Sequence, residues 1–297
     1  IALDALGGQC KFFSEISERC RETYEKNFDT PTNCIHGDIY EVPDADFPKN
    51  LDLLAAGFPC QPFSNLGEQP GLDCEKGRGQ LFLQIVRMLE VSKPKCFLFE
   101  NVPGLLGMNA TLDVIVNAFK GAGYHVSGEV CSARGLTATC RKRLFFAGIR
   151  NDLVKKSNGA AKDTAKSESS SPFDSGFFEW PYIPDLKLCA HDILDYDTLP
   201  PAELELLRLS QATWSQLQLN KKWKPNQLAW PNKQCDTLTS HYGNAVGRGD
   251  SQLVPSSAPH PPRRFSVREC ARAMGFPNSY QFCDIRSEQG EMAHIKE

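Results

Sequence analysis

The 297-residue sequence lacks several features that would define its class at once. It has no apolar run of the roughly 18 to 20 residues that a membrane span requires, and no leader with the order of a secretory signal. Its 12 cysteines are scattered, and no two of them form a CxxC pair. We therefore predict an intracellular protein with free thiols, no membrane association and no zinc or other metal site.

An excess of one charge is also lacking, with 33 basic and 36 acidic side chains and a pI near 6.1. A formal net charge of −3 neither supports nor excludes a nucleic-acid partner, because a local basic cleft contributes little to it. Hydrophobic residues make up 41% of the chain, which allows a substantial core. The composition indicates a globular protein of one large domain, with or without a smaller lobe.

Short β-type runs alternate with helical segments over the first half of the chain. This alternation predicts an α/β fold with a doubly wound, mostly parallel sheet. We predict strands at residues 10–16, 33–39, 51–58, 95–102, 124–131 and 143–149, and helices at 17–28, 79–92 and 111–123.

The pattern changes after residue 150. Residues 154–171 are rich in Ser, Lys and Ala, which predicts a disordered insertion. Residues 151–262 do not continue the alternation of strands and helices, and we predict that they form a small irregular lobe. Residues 263–297 return to the main domain, formed by residues 1–150, through a helix at 268–274.

Polar residues follow several predicted strands. Ligands of doubly wound sheets bind beyond the carboxyl ends of the strands, so we expect these residues to line one crevice: Glu15, Asp38, Cys60 and Glu100. Cys60 follows the apolar run LDLLAAGF and precedes a loop with many glycines. A thiol at such a turn is either a nucleophile on a mobile loop or a buried cysteine beside a rigid turn.

Glu100 ends the apolar run FLFE. A carboxylate there needs hydrogen-bond partners, and it serves either as a reacting group of the crevice or as a helix cap. The basic cluster from Arg141 to Arg143 runs directly into the strand LFFAGI. Most such clusters are solvated, but a guanidinium beside a core strand can clamp an oxygen atom.

Five blocks in this order resemble the DNA (cytosine-5)-methyltransferase family: GFPCQPFS, RGQLF, FENVPGLL, RKRLFFAGI and RRFSVRECARAMGFPNSY. The resemblance covers residues 1–150 and 234–282. It implies the fold of the S-adenosylmethionine-dependent methyltransferases and transfer of a methyl group from S-adenosyl-L-methionine to carbon 5 of cytosine. It also implies a covalent cysteine adduct, a flipped-out base, and a target-recognition function for the lobe at 151–262.

The resemblance further implies roles for single residues, although each cofactor candidate taken alone is more often an ordinary strand-end residue. Cys60 would add to carbon 6 of cytosine, Glu100 would hold ring nitrogen 3 and the exocyclic amine, and Arg143 with Arg141 would bind the 2-keto oxygen. The cofactor candidates are Glu15 at the ribose, Ile16 against adenine, Asp38 and Ile39 at the adenine edge, and Pro59 and Leu81 beside the methionine part. The DNA candidates are Ser64, Thr237 and Thr239.

The same resemblance implies double-stranded DNA as the partner of a monomer, in the nucleus of a eukaryote or the cytoplasm of a bacterium. Three departures from the family pattern stand out. The Gly-rich loop before IALDALGG and the closing GN segment after Phe282 are absent, and Thr139 stands where the family usually has Gln. We therefore expect a fragment of a longer protein that binds S-adenosylmethionine weakly by itself.

Three other functions compete with this interpretation. The tRNA-methylating branch of the family typically has Pro-Pro-Cys and Cys-Phe-Thr motifs, whereas this chain has Phe58-Pro59-Cys60 and no CFT. A non-catalytic relative that binds DNA or a partner is expected to lack Cys60, Glu100 or the RKR arginines, and all are present. An unrelated nucleotide-binding enzyme with a reactive thiol does not explain FENV, RKR and RECAR in that order.

Overall fold

The computed structural model describes residues 1–58, 80–154, 172–195, 198–220, 223, 228–229, 231–238, 242, 252–257 and 259–283. These residues form two compact units. The first unit takes the described residues within Ile1–Ile16, Thr30–Cys131 and Lys142–Pro181, and the second takes those within Ser17–Asp29, Ser132–Arg141 and Tyr182–Glu297. These units do not coincide with the boundaries at 150 and 262, and the division by function stays a prediction. Apart from Val154, the predicted insertion lies outside the described residues.

The first unit contains two sheets. Strands β1 (Phe13–Ser14) and β2 (Ile35–His36) pair in parallel. The larger sheet has the order β3-β4-β6-β5, formed by Leu53–Gly57, Cys96–Asn101, Lys142–Arg150 and Tyr124–Ser132 respectively. Its helices are α1 (Ala2–Ala5), α3 (Gln80–Ser92) and α4 (Asn109–Gly121). The predicted α/β class is confirmed.

One strand departs from the parallel arrangement. β3 and β4 are parallel, but β4 and β6 are antiparallel. The connection from β5 to β6 spans only residues 133–141, and a parallel crossover needs a dozen or more residues, usually with a helix. The chain therefore returns directly from β5 into β6, which lies beside β4.

The alternation of side chains along β4 decides which residues face the core. Phe97, Phe99 and Asn101 are 2%, 0% and 4% exposed, whereas Leu98 between the two phenylalanines is 38% exposed. Successive side chains of a strand point to opposite faces of the sheet. Glu100 consequently shares the more exposed face with Leu98, and Asn101 shares the buried face with the phenylalanines.

An aromatic cluster forms the centre of the first unit's core. The rings of Phe97 and Phe99 stack with centroids 4.3 Å apart, and Phe119 contacts both. Stacked and edge-on aromatic pairs contribute beyond the area that they bury. The cluster also includes Phe58, Phe82, Tyr124 and Phe146.

Where the structure describes it, the second unit has four α-helices joined by irregular segments. Its helices are α2 (Glu18–Asn27), α5 (Pro201–Leu207), α6 (Gln211–Leu219) and α7 (Val267–Ala273). α7 begins with a capping box in which the Ser266 hydroxyl accepts from Glu269 N and the Glu269 carboxylate accepts from Ser266 N. Within the described ranges, no helix is long and apolar enough to cross a membrane.

Candidate active site

An ion pair between neighbouring strands forms the centre of the candidate site. Arg143 Nε on β6 lies 2.8 Å from Glu100 Oε1 on β4, and the two side chains are 21% and 37% exposed. The antiparallel register places Glu100 opposite Phe145, so Arg143 is its diagonal neighbour on the same face. Two residues to which the sequence assigned catalytic roles are therefore in direct contact. Glu100 is partly exposed, and Arg143 provides the partner that a carboxylate at the end of an apolar strand needs.

The end of β3 lies beside this ion pair. Gly57, the last residue of β3, is the register partner of Glu100. A Cβ atom at Gly57 would lie 3.9 Å from Glu100 Oε2, so even a small side chain there would contact the carboxylate. The chain that leaves β3 therefore starts next to Glu100. Cys60, three residues beyond Gly57, lies outside the described residues.

Sequence reasoning missed Asn101. Its Nδ2 donates to the Phe58 carbonyl at 3.2 Å, and its Oδ1 accepts from Val102 N at 2.8 Å. The signal was present in the sequence, because Asn101 is a polar residue in phase with Phe97 and Phe99 on the buried face of β4. A buried carboxamide with both ends hydrogen-bonded connects the ends of two strands.

The polar cofactor candidates follow two parallel strands. Glu15 comes directly after β1, and its backbone N donates to the His36 carbonyl at 3.1 Å. Asp38 follows β2, and its Oδ1 accepts from Tyr40 N at 3.0 Å, which caps a short 3₁₀ turn. Because parallel strands end at the same edge of a sheet, the structure brings Glu15 and Asp38 to one edge.

The apolar cofactor candidates differ in their exposure. Ile16, beside Glu15, is 73% exposed, while Ile39 is partly buried against the core of the first unit. Leu81 is half-buried in the first turn of α3. The remaining candidates of the first 150 residues, Pro59 and Ser64, lie outside the described part of the chain.

Two candidates lie in the second unit. Arg141 is half-buried, and its carbonyl accepts from Ala133 N at 2.7 Å. Thr237 is half-buried two residues after Cys235, whose backbone N donates to Ala138 O at 2.7 Å. The segment of Thr237 thus pairs with the segment that leads to Arg141. Thr239 lies outside the described residues.

The second unit also contains a cationic cavity of about 430 Å³. Three of its lining residues are Arg134, Lys187 and Lys233, which come from three separate segments. None of these cationic side chains forms an ion pair with another described residue. One acidic residue, Asp185, lines the cavity, and its carboxylate accepts from Lys187 N at 3.1 Å. The cavity therefore has an excess of positive charge.

The described cysteines are free thiols. Burial raises the pKa of Cys235 to about 12 and raises the pKa of Cys96, Cys131 and Cys270 above the ordinary thiol value. The thiolate is the nucleophilic form, so these four buried or half-buried thiols are poor nucleophiles near neutral pH. In the part of the chain that the structure describes, no group of His, Cys, Asp and Glu side chains is arranged to hold a metal ion.

Solved structures with similar folds are methyltransferases. Dnmt2 methyltransferase of S. pombe superposes with a TM-score of 0.68 at 19% identity, covering 99% of this chain and 87% of that one. The methyltransferase EhMeth of Entamoeba histolytica gives a TM-score of 0.60 at 17% identity, covering 91% and 79%. These likenesses show the fold of the S-adenosylmethionine-dependent methyltransferases, which confirms the predicted architecture.

Sequence comparisons identify the family. The type II methyltransferase M.DsaV of Dactylococcopsis salina is 31% identical over 288 residues, covering 94% of this chain and 73% of the relative. M.HhaI of Haemophilus parahaemolyticus is 29% identical over 286 residues, covering 95% and 81%. Residues 1–293 match the family described as C-5 cytosine-specific DNA methylase. The chain therefore belongs to the family of C-5 cytosine-specific DNA methylases, as its sequence motifs predicted.

Proposed function

We propose that this protein methylates carbon 5 of a cytosine in double-stranded DNA, with S-adenosyl-L-methionine as the methyl donor, through a covalent adduct of Cys60 and a flipped-out base. The observation that carries the proposal is the contact between Glu100 and Arg143 at the carboxyl end of β4. Family membership supports the reaction class, and the position of Cys60 after β3 supports its role as the nucleophile.

The ion pair has the chemistry to bind one edge of a cytosine. That edge presents the 2-keto oxygen, ring nitrogen 3 and the exocyclic amine in a row, so it needs a cationic donor beside a carboxyl group. Arg143 and Glu100 provide these groups 2.8 Å apart on the more exposed face of the sheet. The guanidinium would bind the keto oxygen, and the carboxyl group would bind nitrogen 3 and the amine.

The reaction needs a nucleophile because carbon 5 of cytosine is not nucleophilic by itself. The Cys60 thiolate adds to carbon 6, a carbon–sulfur bond forms, and the electron pair moves through the ring to make carbon 5 an enamine carbon. Glu100 and Arg143 stabilise the charge that develops on nitrogen 3 and the keto oxygen. After methylation, loss of the carbon 5 proton and cleavage of the carbon–sulfur bond restore the aromatic ring and the Cys60 thiolate.

The edge formed by β1 and β2 fits the cofactor. S-adenosylmethionine supplies an electrophilic methyl group when it is bound. The vicinal hydroxyls of its ribose suit the carboxylate of Glu15, and its adenine suits the exposed side chain of Ile16 and the partly buried Ile39. Asp38 would accept from the adenine edge with the carboxylate oxygen that does not cap the 3₁₀ turn.

The DNA partner follows from the chemistry of the target. A base inside a duplex cannot reach a thiol at a strand end, so the cytosine must leave the stack. The second unit supports contact with a polyanion, because Arg134, Lys187 and Lys233 line its cavity without ion-pair partners among the described residues. Such phosphate contacts position the duplex but do not specify its sequence. We assign target recognition to residues 151–262, with Thr237 close to the DNA backbone.

Specific observations argue against the tRNA-methylating and the non-catalytic alternatives. The relatives M.DsaV and M.HhaI carry type II methyltransferase names, and the Phe-Pro-Cys motif differs from the Pro-Pro-Cys of the tRNA branch. A non-catalytic relative has no need of the Glu100–Arg143 contact. The bacterial relatives favour the cytoplasm over the nucleus, and a monomer stays a prediction.

A cross-linking experiment tests the covalent step. Fluorine at carbon 5 of cytosine cannot leave as a proton does, so the Cys60 adduct should persist after methyl transfer. Long mixed-sequence duplex DNA containing 5-fluorocytosine, incubated with the protein and S-adenosylmethionine, should give a complex that survives a denaturing gel. Cys60→Ser should abolish the complex, and Cys283→Ser, which alters a free thiol beyond α7 and outside the cationic cavity, should retain it. A complex that forms equally in Cys60→Ser contradicts the proposal.

A further inference from the structure

Asn101, at 4% exposure, is one of four buried polar side chains among the described residues of the first unit. It lies on the face of β4 that carries the fully buried Phe97 and Phe99, where an apolar side chain is the ordinary choice. Burying an amide costs several kcal/mol unless its groups are hydrogen-bonded. Both ends of the carboxamide are bonded, to Phe58 O and Val102 N. The residue therefore forms a specific polar connection inside an aromatic core.

The hydrogen bond from Asn101 to Phe58 lies directly beyond the last register pair of β3 and β4. The register of β3 with β4 ends at Gly57 opposite Glu100, so the next residue, Phe58, has no ladder partner on β4. The bond from Asn101 Nδ2 to Phe58 O extends the attachment of the two strands by one residue. Cys60 follows Phe58 by two residues in the sequence.

Glu100 and Asn101 are adjacent on β4, so their side chains lie on opposite faces of the sheet. Glu100 contacts Arg143, and Asn101 holds the Phe58 carbonyl. On the basis of the proposed function, we propose that Asn101 is a positioning residue that fixes the backbone leading to the nucleophile Cys60 relative to the base-binding carboxyl group of Glu100. It touches neither the DNA nor the cofactor, and it acts through the Phe58 backbone.

The expected consequence is a loss of rate with little loss of binding. A displacement of about 1 Å of a reacting group can cost about 100-fold in rate. The cofactor candidates Glu15 and Asp38 follow β1 and β2 of the smaller sheet, whereas Asn101 bonds to Phe58 and Val102 at the end of β4. We expect Asn101→Ala to lower kcat about 10- to 100-fold, with KM for S-adenosylmethionine within two-fold of the wild type.

A matched control separates positioning from stability. The Tyr124 hydroxyl donates to the Pro94 carbonyl at 2.8 Å, which is also a buried bond from a side chain to the backbone, near the opposite end of β4. Tyr124→Phe should lower the melting temperature to a similar extent as Asn101→Ala while kcat stays within two-fold of the wild type. Equal and small effects of both substitutions on kcat, or a rise in KM without a fall in kcat, would overturn the proposal.

A second variant gives a signature in pH. Asn101→Asp keeps an acceptor for Val102 N, but an ionised carboxylate cannot donate to the Phe58 carbonyl, and a protonated one can. The kcat of Asn101→Asp relative to the wild type should therefore rise as the pH falls, and a ratio that is independent of pH contradicts the proposal. If Asn101→Ala does not fold, the pH dependence of Asn101→Asp tests the proposal instead. Absence of Cys60-dependent methylation in the wild type would instead refute the proposed function.

Discussion

The buried ion pair of Arg263 with Glu269 makes a quantitative prediction about the second unit. Arg263 and Glu269 are 3% and 0% exposed, and two bonds of 2.7 Å join the guanidinium fork to the carboxylate. The carboxylate also accepts from the backbone N of Asp195 and of Ser266 at 2.7 Å each. The two carboxylate oxygens of Glu269 thus accept four hydrogen bonds, which connect the start of α7 to the segment of Asp195.

Glu269→Gln keeps the shape of this side chain and removes its charge, which leaves the Arg263 guanidinium buried without its counter-ion. Removal of one partner of a buried ion pair costs about 3 to 5 kcal/mol. For a protein of this size, each kcal/mol corresponds to about 2 to 4 °C in melting temperature. We expect thermal unfolding of Glu269→Gln at about 6 to 20 °C below the wild type.

A surface ion pair in the same unit provides the control. Arg208 Nη1 lies 3.1 Å from Glu205 Oε2, and Glu205 is 76% exposed. Exposed pairs contribute about 0 to 1 kcal/mol, so Glu205→Gln should lower the melting temperature by no more than about 4 °C. Calorimetry of both variants measures the difference. If Glu269→Gln melts no lower than Glu205→Gln, the reasoning about burial is wrong.

Three further predictions address the site, the cavity and the pH dependence of stability. Glu100→Gln should lower kcat about 100- to 1,000-fold in single-turnover methylation, because the carboxyl group stabilises charge in the transition state, and a loss below threefold contradicts this. Lys187→Ala should make the slope of the logarithm of the DNA-binding constant against the logarithm of the salt concentration shallower by about 1. The control Lys26→Ala, on α2 in the same unit, should leave this slope unchanged. Equal slopes for both variants refute a phosphate contact of Lys187. Burial opposes ionisation of Asp174, but the Lys120 ammonium and a backbone N–H outweigh it and lower its pKa. The stability that this carboxylate contributes is therefore present above its ordinary pKa of about 4 and is lost as the pH falls through the lower pKa of the folded state. In urea unfolding from pH 5 to pH 3, the wild type should lose free energy of unfolding that Asp174→Asn does not lose. An identical pH dependence of the two proteins contradicts this prediction.

Local sequence signals predicted the elements well where caps and alternation define them. The predicted helix 17–28 is observed at Glu18–Asn27, with Ser17 as its cap. The predicted strand 95–102 is observed at Cys96–Asn101. By contrast, the predicted strand 10–16 has only Phe13 and Ser14 in a ladder, because its partner β2 is equally short. The length of a strand depends on its partner, which local sequence does not show.

Site residues that belong to a sequence motif could be predicted. Contacts between segments that are distant in the sequence could not. Glu100 and Arg143 were predicted from separate motifs, and the structure brings them into contact. The bond of Asn101 to the Phe58 carbonyl depends on the parallel register of two strands, and sequence alone does not give that register. The cationic cavity likewise needs three segments to fold together before its charges become neighbours.

Methyl transfer from labelled S-adenosylmethionine, compared between mixed-sequence duplex DNA and tRNA, is the most direct test of the proposed reaction. The comparison uses the wild type, Cys60→Ser and the free-thiol control Cys283→Ser. We expect label at carbon 5 of cytosine in DNA for the wild type and for Cys283→Ser, and none for Cys60→Ser. Label in tRNA alone, or label in DNA that survives Cys60→Ser, would contradict the proposed reaction.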